Sequence, residues 1–390
     1  MKKKLPQGWK EEYLVNVVDV INDRVKEYEG ERNYLSTGDL NFNVIENLEL
    51  VTFDTKPSRA NQNVKVNDVI FAKMKDTKKT LIINEDIKDI IVSTGFFVLR
   101  AKEIIDSRYL YFYLNSSKFL REKDNLCTGA TQSALNLQGL KKIKILVPTI
   151  EEQVKIVNIL KISEQTLVKR KEAINLLDEL VKSKFIEMFG DPVSNPMNWD
   201  KKRLADECNI ITGNTPSRKV EAYYGDYIEW IKSDNITGAG VYLSTAREYL
   251  SKQGLKVGRS IEKDSILMTC IAGSIKCIGN VAIADRKVAF NQQINGIEPL
   301  KNNVYFMLQQ FNLSQKYIQS TINMSLKGIL SKGQLSELEF IFPPIEKQNE
   351  FAEFFKQVDK LKFKMEESLK ELENNFNSLM QRAFKGKLFN

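Results

Sequence analysis

The side chains with chemistry to offer are lysines, hydroxyls and amides. Lys73-Met74-Lys75-Asp76-Thr77-Lys78-Lys79 gathers the ammonium groups of Lys73, Lys75, Lys78 and Lys79 in one short polar loop, suited to phosphate oxygens. Thr215, Ser217 and Arg218 join a turn to a basic group, and Asn291, Gln292 and Gln293 carry amides that pair with adenine edges in a major groove. Thr131 and Gln132 occupy a comparable loop earlier in the chain. Each pattern has a plainer reading: the lysine run also suits a solvated hairpin, and the amides also suit capping and turn closure. Lys327 and Lys332 are open in the same way.

Composition excludes several other chemistries. The chain has no histidine, so histidine-based nucleophile activation and general-base catalysis are ruled out. Cys127, Cys208, Cys270 and Cys277 lack C-x-x-C spacing and argue against a zinc site; they read as buried thiols in a reducing compartment. No glycine-rich cofactor loop follows a strand, and no Walker A motif is present. Lysine and arginine outnumber the acids 58 to 50, giving a net charge of +8 that permits a nucleic-acid partner without demanding one. After Met1-Lys2-Lys3-Lys4 the stretch Pro6 to Glu12 is polar where a signal peptide needs an apolar core. No run approaches the roughly 18 apolar residues of a membrane span. The expectation is a cytoplasmic protein with no membrane partner.

The elements that must position these residues are repeated. Val147-Pro148-Thr149-Ile150-Glu151-Glu152-Gln153 leads into a helical segment ending near Gly190, and Phe342-Pro343-Pro344-Ile345-Glu346-Lys347-Gln348 leads into another ending near Gly386. The two align at one offset of 195 residues (345 − 150). Proline stops the preceding strand-like runs (Ile143, Ile145, Val147; Leu338, Phe340, Phe342), and the glutamates that follow suit a helix N-terminus. Leu160, Leu167, Ile174, Val181 and Met188 form a seven-residue ladder, as do Phe351, Val358, Met365, Leu372 and Leu379. Leu361, Leu369 and Phe376 fill intervening steps of the second seam, and Leu177 and Phe185 those of the first. About 38 uninterrupted residues make a rod on the order of 57 Å. Two such rods most simply pack on each other, with the ladder residues as the pair's core; packing separately on globular domains is the other solution.

Each helix follows a globular block. The first runs from 1 to 147, with β-prone runs at Tyr34-Leu35, Val64 to Val66, Val69 to Phe71, Leu81 to Ile83 and Phe96 to Leu99, then a helical segment from Ser107 to Lys123 rich in core aromatics. The second runs from 191 to 342, with 148 to 190 and 343 to 390 as the helical spacers. Asn195-Pro196-Met197-Asn198-Trp199 answers Leu5-Pro6-Gln7-Gly8-Trp9 at an offset of 190 (199 − 9), and Ile261 to Leu267 resembles Val66 to Ala72. The fold class expected is α+β: two globular α/β domains joined by two long helices packed as an antiparallel coiled coil, in a pseudo-twofold internal repeat.

The order of globular block, Pro-x-Ile-Glu-x-Gln helix, globular block and Pro-Pro-Ile-Glu-x-Gln helix resembles the specificity subunit of type I restriction-modification systems over essentially the whole chain. Gly129-Ala130-Thr131-Gln132 with Leu135-Asn136, Gly213-Asn214-Thr215-Pro216-Ser217, Tyr223-Tyr224-Gly225, Ile228 to Ile231 and Phe290 to Ile294 resemble pieces of that family's recognition domains. The chain departs from the pattern in two places. The first block has no clear Gly-x-Thr-Pro-Ser segment, and Gly328-Ile329-Leu330-Ser331 stands where the first block has Ala134-Leu135-Asn136.

The resemblance implies a non-catalytic protein that binds double-stranded DNA and positions enzymes. Each block would read one half of a split, asymmetric target while the helices set the spacing. Duplex DNA carries one phosphate per ~1.7 Å of axis, so rods of this length hold readers more than a helical turn apart. Two methyltransferase subunits, each binding S-adenosylmethionine, would dock on the chain, and restriction subunits using ATP and Mg would join in a full complex; the chain itself would hold no cofactor and no metal. An adenine methyltransferase would carry an Asp/Asn-Pro-Pro-Tyr/Phe motif, but Asp191-Pro192-Val193 and Asn195-Pro196-Met197 lack the second proline. Ile156, Ile159, Phe354 and Phe363 lie outside the helical seam and are candidates for docking the methyltransferase subunits. A coiled-coil scaffold that binds proteins without DNA specificity is the alternative.

Overall fold

The computed structural model describes residues 5–129, 133–322 and 328–389. The chain folds into two compact units, Met1–Lys171 with Glu367–Asn390, and Glu172–Glu366. These cut across the four segments expected, because the helices Ile150–Phe189 and Ile345–Ala383 each give one end to each unit. Among the described residues no helix is long and apolar enough to cross a membrane.

The first unit holds two four-stranded sheets. One orders Glu49–Val51, Arg32–Leu35, Ile91–Ser93 and Ala60–Asn63, with a parallel pair at its centre. The other orders Val18–Ile21, Phe96–Ala101, Val69–Ala72 and Thr80–Ile82, all antiparallel. The second unit repeats both: Tyr249–Leu250, Tyr224–Ile231, Val288–Phe290, Ser260–Ile261 around a parallel pair, and Cys208–Thr212, Ile294–Pro299, Ser265–Thr269, Val281–Ala284 antiparallel. In each unit a further strand pair, Lys10–Tyr13 with Lys144–Val147 and Lys201–Arg203 with Glu339–Ile341, joins the start of the block to the strand that feeds the long helix. The sequences of the blocks have drifted while strand order has not.

The repeat needs one correction of register. Asn67 (φ 70°) and Asp264 (φ 64°) occupy the same left-handed turn before the central strand, a conformation that asparagine and aspartate tolerate. Their offset is 197 (264 − 67), so the match of Val66 to Ile261 slips by two residues. Two local expectations also change. Val64 to Val66 lies outside the strand, which is Ala60–Asn63, and the Ser107 to Lys123 helix is two helices, Ser107–Leu114 and Ser117–Asn125, because Ser116 caps the second by accepting from the Phe119 amide.

Strand alternation divides the core. In the second unit Ile266 and Met268 face the helices with Phe185, Phe306 and Phe351, while Leu267 and Ala282 pack between the sheets with Phe290 and Ile294. Phe185, Phe189, Phe306 and Phe351 form an aromatic cluster with centroids 4.9 to 5.9 Å apart. In the first unit Tyr109 and Tyr113 pack on Phe384 at 5.2 and 5.6 Å, beside Ile156 and Met380.

The glutamine of the repeated motif joins helix to block. Gln153, fully buried, accepts from the Asp106 amide at 2.8 Å and donates to the Ile104 and Pro148 carbonyls at 3.0 and 2.9 Å. Gln348 accepts from the Asn303 amide at 2.9 Å and donates to the Asn302 side chain and the Pro343 carbonyl at 2.8 Å. Asp106 and Asn303 are themselves N-caps of equivalent helices. A buried amide without these partners would cost about 1–3 kcal/mol per orphaned group, which explains the residue type.

The helix exits match as well. Gly190 (φ 75°) and Gly386 (φ 66°) end the two helices in the left-handed region, and an added Cβ would meet Pro196 at 2.8 Å and Pro6 at 3.1 Å respectively. Pro6 thus meets Gly386 as Pro196 meets Gly190, although the first pair lies at the two ends of the chain.

Within each unit the long helices run antiparallel. Lys171 pairs with Glu373 at 2.9 Å in the first unit, and Lys362 with Asp178 at 2.6 Å in the second. Of the ladder residues, Leu160, Ile174, Val181 and Val358 are buried, whereas Leu167, Met365, Leu372 and Leu379 are half-buried and Leu361 is exposed. Two helices cover only one stripe of each other, so burial completes only where a globular block also packs on them. The docking candidates divide for the same reason. Ile156 has no exposed surface: it is the first unit's counterpart of Phe351 and belongs to the core, which corrects its assignment to a partner surface. Ile159 is half-buried, Phe354 packs against the second unit's core, and Phe363 is 60% exposed.

Candidate nucleic-acid interface

In the first unit the lysine run is the hairpin loop between Val69–Ala72 and Thr80–Ile82. Its lysines are not equivalent. Lys73 is half-buried, donates to the Thr94 carbonyl at 2.8 Å and lies 4.5 Å from the Phe97 ring centre; desolvation lowers its pKa. Lys79 donates to the Thr37 carbonyl at 2.7 Å. Both brace the loop, which corrects their reading as free phosphate contacts. Lys78 is exposed as a residue, yet desolvation lowers its pKa, with Glu164 acting in the opposite direction. Lys75 stands exposed.

The brace that sequence reading missed is Lys123. Its ammonium is buried under the loop and donates to the Met74 and Thr77 carbonyls at 2.8 and 2.7 Å, while the Asp124 carboxylate accepts from the Asp76 amide at 3.0 Å. Asp76 takes a left-handed φ of 56°, so the loop is held in a set shape. One lysine among the several charges of Ser117–Asn125 carries no signal for this role; only the neighbouring carbonyls define it.

Thr131, Gln132 and Lys327 lie outside the described residues. Their flanks are equivalent in the two units: Leu135 donates its amide to the Lys73 carbonyl at 2.8 Å, and Leu330 to the Cys270 carbonyl at 2.9 Å. Asn136 caps one short helix by accepting from Gly139, and Ser331 caps the other by accepting from Gln334. The two segments that differ in sequence therefore make the same turn. Lys332 is exposed at the start of the second of these helices.

In the second unit the structure brings two separate sequence pieces together. Thr215 donates its hydroxyl to the side-chain amide oxygen of Gln292, and the Asn214 backbone amide donates to the Phe290 carbonyl at 3.1 Å. Gly213 is required here, because a Cβ would fall 2.1 Å from the Asn291 carbonyl oxygen. Arg218 lies 4.4 Å from the Tyr224 ring centre and 5.1 Å from that of Trp230, and it pairs with Glu248 at 2.5 Å. Lys232 also pairs with Glu248 and lies 5.1 Å from Trp230. The Lys232 and Arg218 hydrogen bonds hold the Glu248 carboxyl below its usual pKa. Tyr224, Trp230, Lys232 and Glu248 were not singled out from sequence, although Tyr224 and Trp230 sit in the quoted motifs.

Asn291 is buried, with its side chain bonded to Gln293 at 3.1 Å, so it shapes the turn and is not presented to a base edge. Gln292 and Ser217 are exposed and Gln293 is half-buried. The cysteines also divide: Cys208 and Cys270 are buried, with burial pushing both thiols up to about 12, whereas Cys127 and Cys277 are half-buried, which corrects the reading of all four as buried. What the arrangement offers is a cation on an aromatic floor beside exposed amide and hydroxyl groups, a surface suited to phosphate and base edges.

Residues 6–176 and 196–374 match the family described as the type I restriction modification DNA specificity domain. The type I restriction enzyme MjaIX specificity subunit of Methanocaldococcus jannaschii is 28% identical over 173 residues, which cover 43% of this chain and 39% of that relative. This chain thus spans about two fifths of that relative's length. The HindI specificity subunit of Haemophilus influenzae is 21% identical over 391 residues, covering 80% of this chain and 84% of the relative. Among solved structures, a chain from work on the complex assembly and conformational transition of the type I R-M system has a TM-score of 0.65 at 20% identity, covering 99% of this chain and 100% of the other. The type I restriction-modification S subunit from M. genitalium has a TM-score of 0.58 at 15% identity, covering 98% and 97%. With both blocks matched and the same fold in known relatives, this chain belongs to the type I restriction modification DNA specificity family.

Proposed function

We propose that this chain is the non-catalytic DNA-reading subunit of a type I restriction-modification enzyme. Each unit reads one half of a two-part, asymmetric target, and the long helices set the spacing between the halves. Two methyltransferase subunits, which carry S-adenosylmethionine, dock on the chain, and restriction subunits using ATP and Mg join the full complex. The observation that carries the reading is the duplication of sheet order and of the buried glutamine in one chain whose surface loops differ. A common frame with unlike surfaces is the expected design for reading two unlike half-sites.

A base-resolution methylation map of host DNA, with and without the gene, tests it. The expected result is the loss of one split, asymmetric motif methylated on both strands. An unchanged map, together with failure to co-purify with a methyltransferase, would sink the proposal and leave a protein-binding scaffold.

A further inference from the structure

Each unit contains a groove between its globular block and its own stretch of the helix pair, and the two grooves are equivalent. The first, of about 310 Å³, is walled by Phe42, Phe112, Leu167 and Phe376; the second, of about 450 Å³, by Val241, Leu308, Val181 and Phe355. At the helical offset of 195, Glu164 of the first groove corresponds to Asp359 of the second (359 − 164), and Glu373 to Asp178 (373 − 178).

In both grooves the carboxylates divide in the same way. Glu373 and Asp178 are satisfied by Lys171 and Lys362 across the helix pair. Glu164 and Asp359 are half-buried and have no ion pair among the described residues. Among the described residues Glu164 accepts only from the Tyr111 hydroxyl at 3.3 Å, which itself accepts from Asn43 at 3.0 Å. Desolvation raises the pKa of both groups, against the weaker opposing pull of Lys78 on Glu164 and of Lys362 on Asp359, neither of which reaches its carboxylate as an ion pair. Leaving a half-buried carboxylate without an ion pair in a groove of mixed polar and apolar walls is unfavourable, and it has occurred at the same helical position twice. A lysine or arginine side chain matches such a groove: its aliphatic stem covers the walls and its cation meets the carboxylate.

We propose that these are twin seats for one cationic side chain from each of two methyltransferase subunits, with Glu164 and Asp359 as the anchoring carboxylates. Two equal seats call for two copies of one partner. The inference rests on the reading above, in which methyltransferase subunits dock on this chain.

The test compares the full-length chain with Glu164→Gln, Asp359→Asn and the double variant. Binding of the methyltransferase subunit of the same system is titrated, copies bound are counted by native mass spectrometry, and Tm is measured on each free chain. Each single variant is expected to keep or raise Tm and to weaken one seat by about ten- to hundredfold, the loss of one charge-assisted hydrogen bond. The double variant is expected to lose both copies, while Glu164→Asp and Asp359→Glu retain them. Two copies bound with unchanged Kd by the double variant would overturn the twin seats and leave the wider reading intact. Lost binding accompanied by a lowered Tm would make the carboxylates structural and also overturn the inference. A wild-type chain that binds no methyltransferase would overturn both.

Discussion

The first unit supports its surface loop from beneath with lysines, whereas the second builds its surface from stacked side chains. Lys73, Lys79 and Lys123 spend their ammonium groups on backbone carbonyls around the 73–79 loop. In the second unit Arg218 and Lys232 remain at the surface, held over Trp230 by Glu248. Below these surfaces the units agree in strand order, in the capping of the short helices Leu137–Leu140 and Lys332–Glu337, and in the buried glutamine. The comparison teaches that one frame carries two unlike surfaces, each held by its own set of contacts. A charge count of the sequence cannot separate a cation that supports backbone from one that faces solvent.

The largest expected effects test the frame. Phe185→Ala removes the centre of the second unit's aromatic cluster and should cost about 3–5 kcal/mol, and Met380→Ala at the equivalent place in the first unit about 2–5 kcal/mol. Urea unfolding measures both; an effect under about 1 kcal/mol at either place would show that the two cores are not equivalent. Gln153→Leu and Gln348→Leu should each cost about 2–4 kcal/mol, because a backbone amide and carbonyls lose their partner in both units. A large loss at one glutamine and none at the other would break the claim of a shared frame.

Next comes the surface. Lys123→Met orphans the Met74 and Thr77 carbonyls and should cost about 1–3 kcal/mol. It should also weaken binding to duplexes carrying the first unit's half-site more than to those carrying the second's, as read by fluorescence anisotropy. Equal weakening on both would mean that the loop's shape does not serve one half-site.

The pH dependence differs in sign between two carboxylates, Glu248 of the second unit and Glu164 of the first. Glu248 has a folded pKa below its unfolded value near 4.5, so its stabilising contribution is present above that pH and is lost as pH falls through the folded value. Glu164 has a raised folded pKa, so its contribution is fully present below about 4.5 and is lost as pH rises through the folded value. Urea midpoints followed from pH 3 to 6 should therefore change in opposite senses for Glu248→Gln and Glu164→Gln relative to the parent chain. The smallest effect is at Lys75, where Lys75→Ala should leave stability within about 0.5 kcal/mol and reduce the slope of log K against log salt by about one. An unchanged slope would remove Lys75 from the phosphate contacts.

Much of the frame was legible because it is periodic or punctuated. The prolines at 148 and 343, the apolar ladders and the offset of 195 predict two long helices, and these span Ile150–Phe189 and Ile345–Ala383. The candidate surface was legible only in part. Gly213 to Arg218 and Asn291 to Gln293 were visible as motifs, but Asn291 turns inward because its amide closes its own loop.

By itself, then, the sequence determined the duplication, the helices and the absence of histidine chemistry, since these depend on residue type and spacing along one chain. Tertiary structure alone decided that Ile156 is core and not surface, that Lys123 is a brace, and that Pro6 meets Gly386 as Pro196 meets Gly190. Those outcomes depend on which distant residues arrive alongside, and a side chain's role follows from the groups that desolvate it or share its hydrogen bonds.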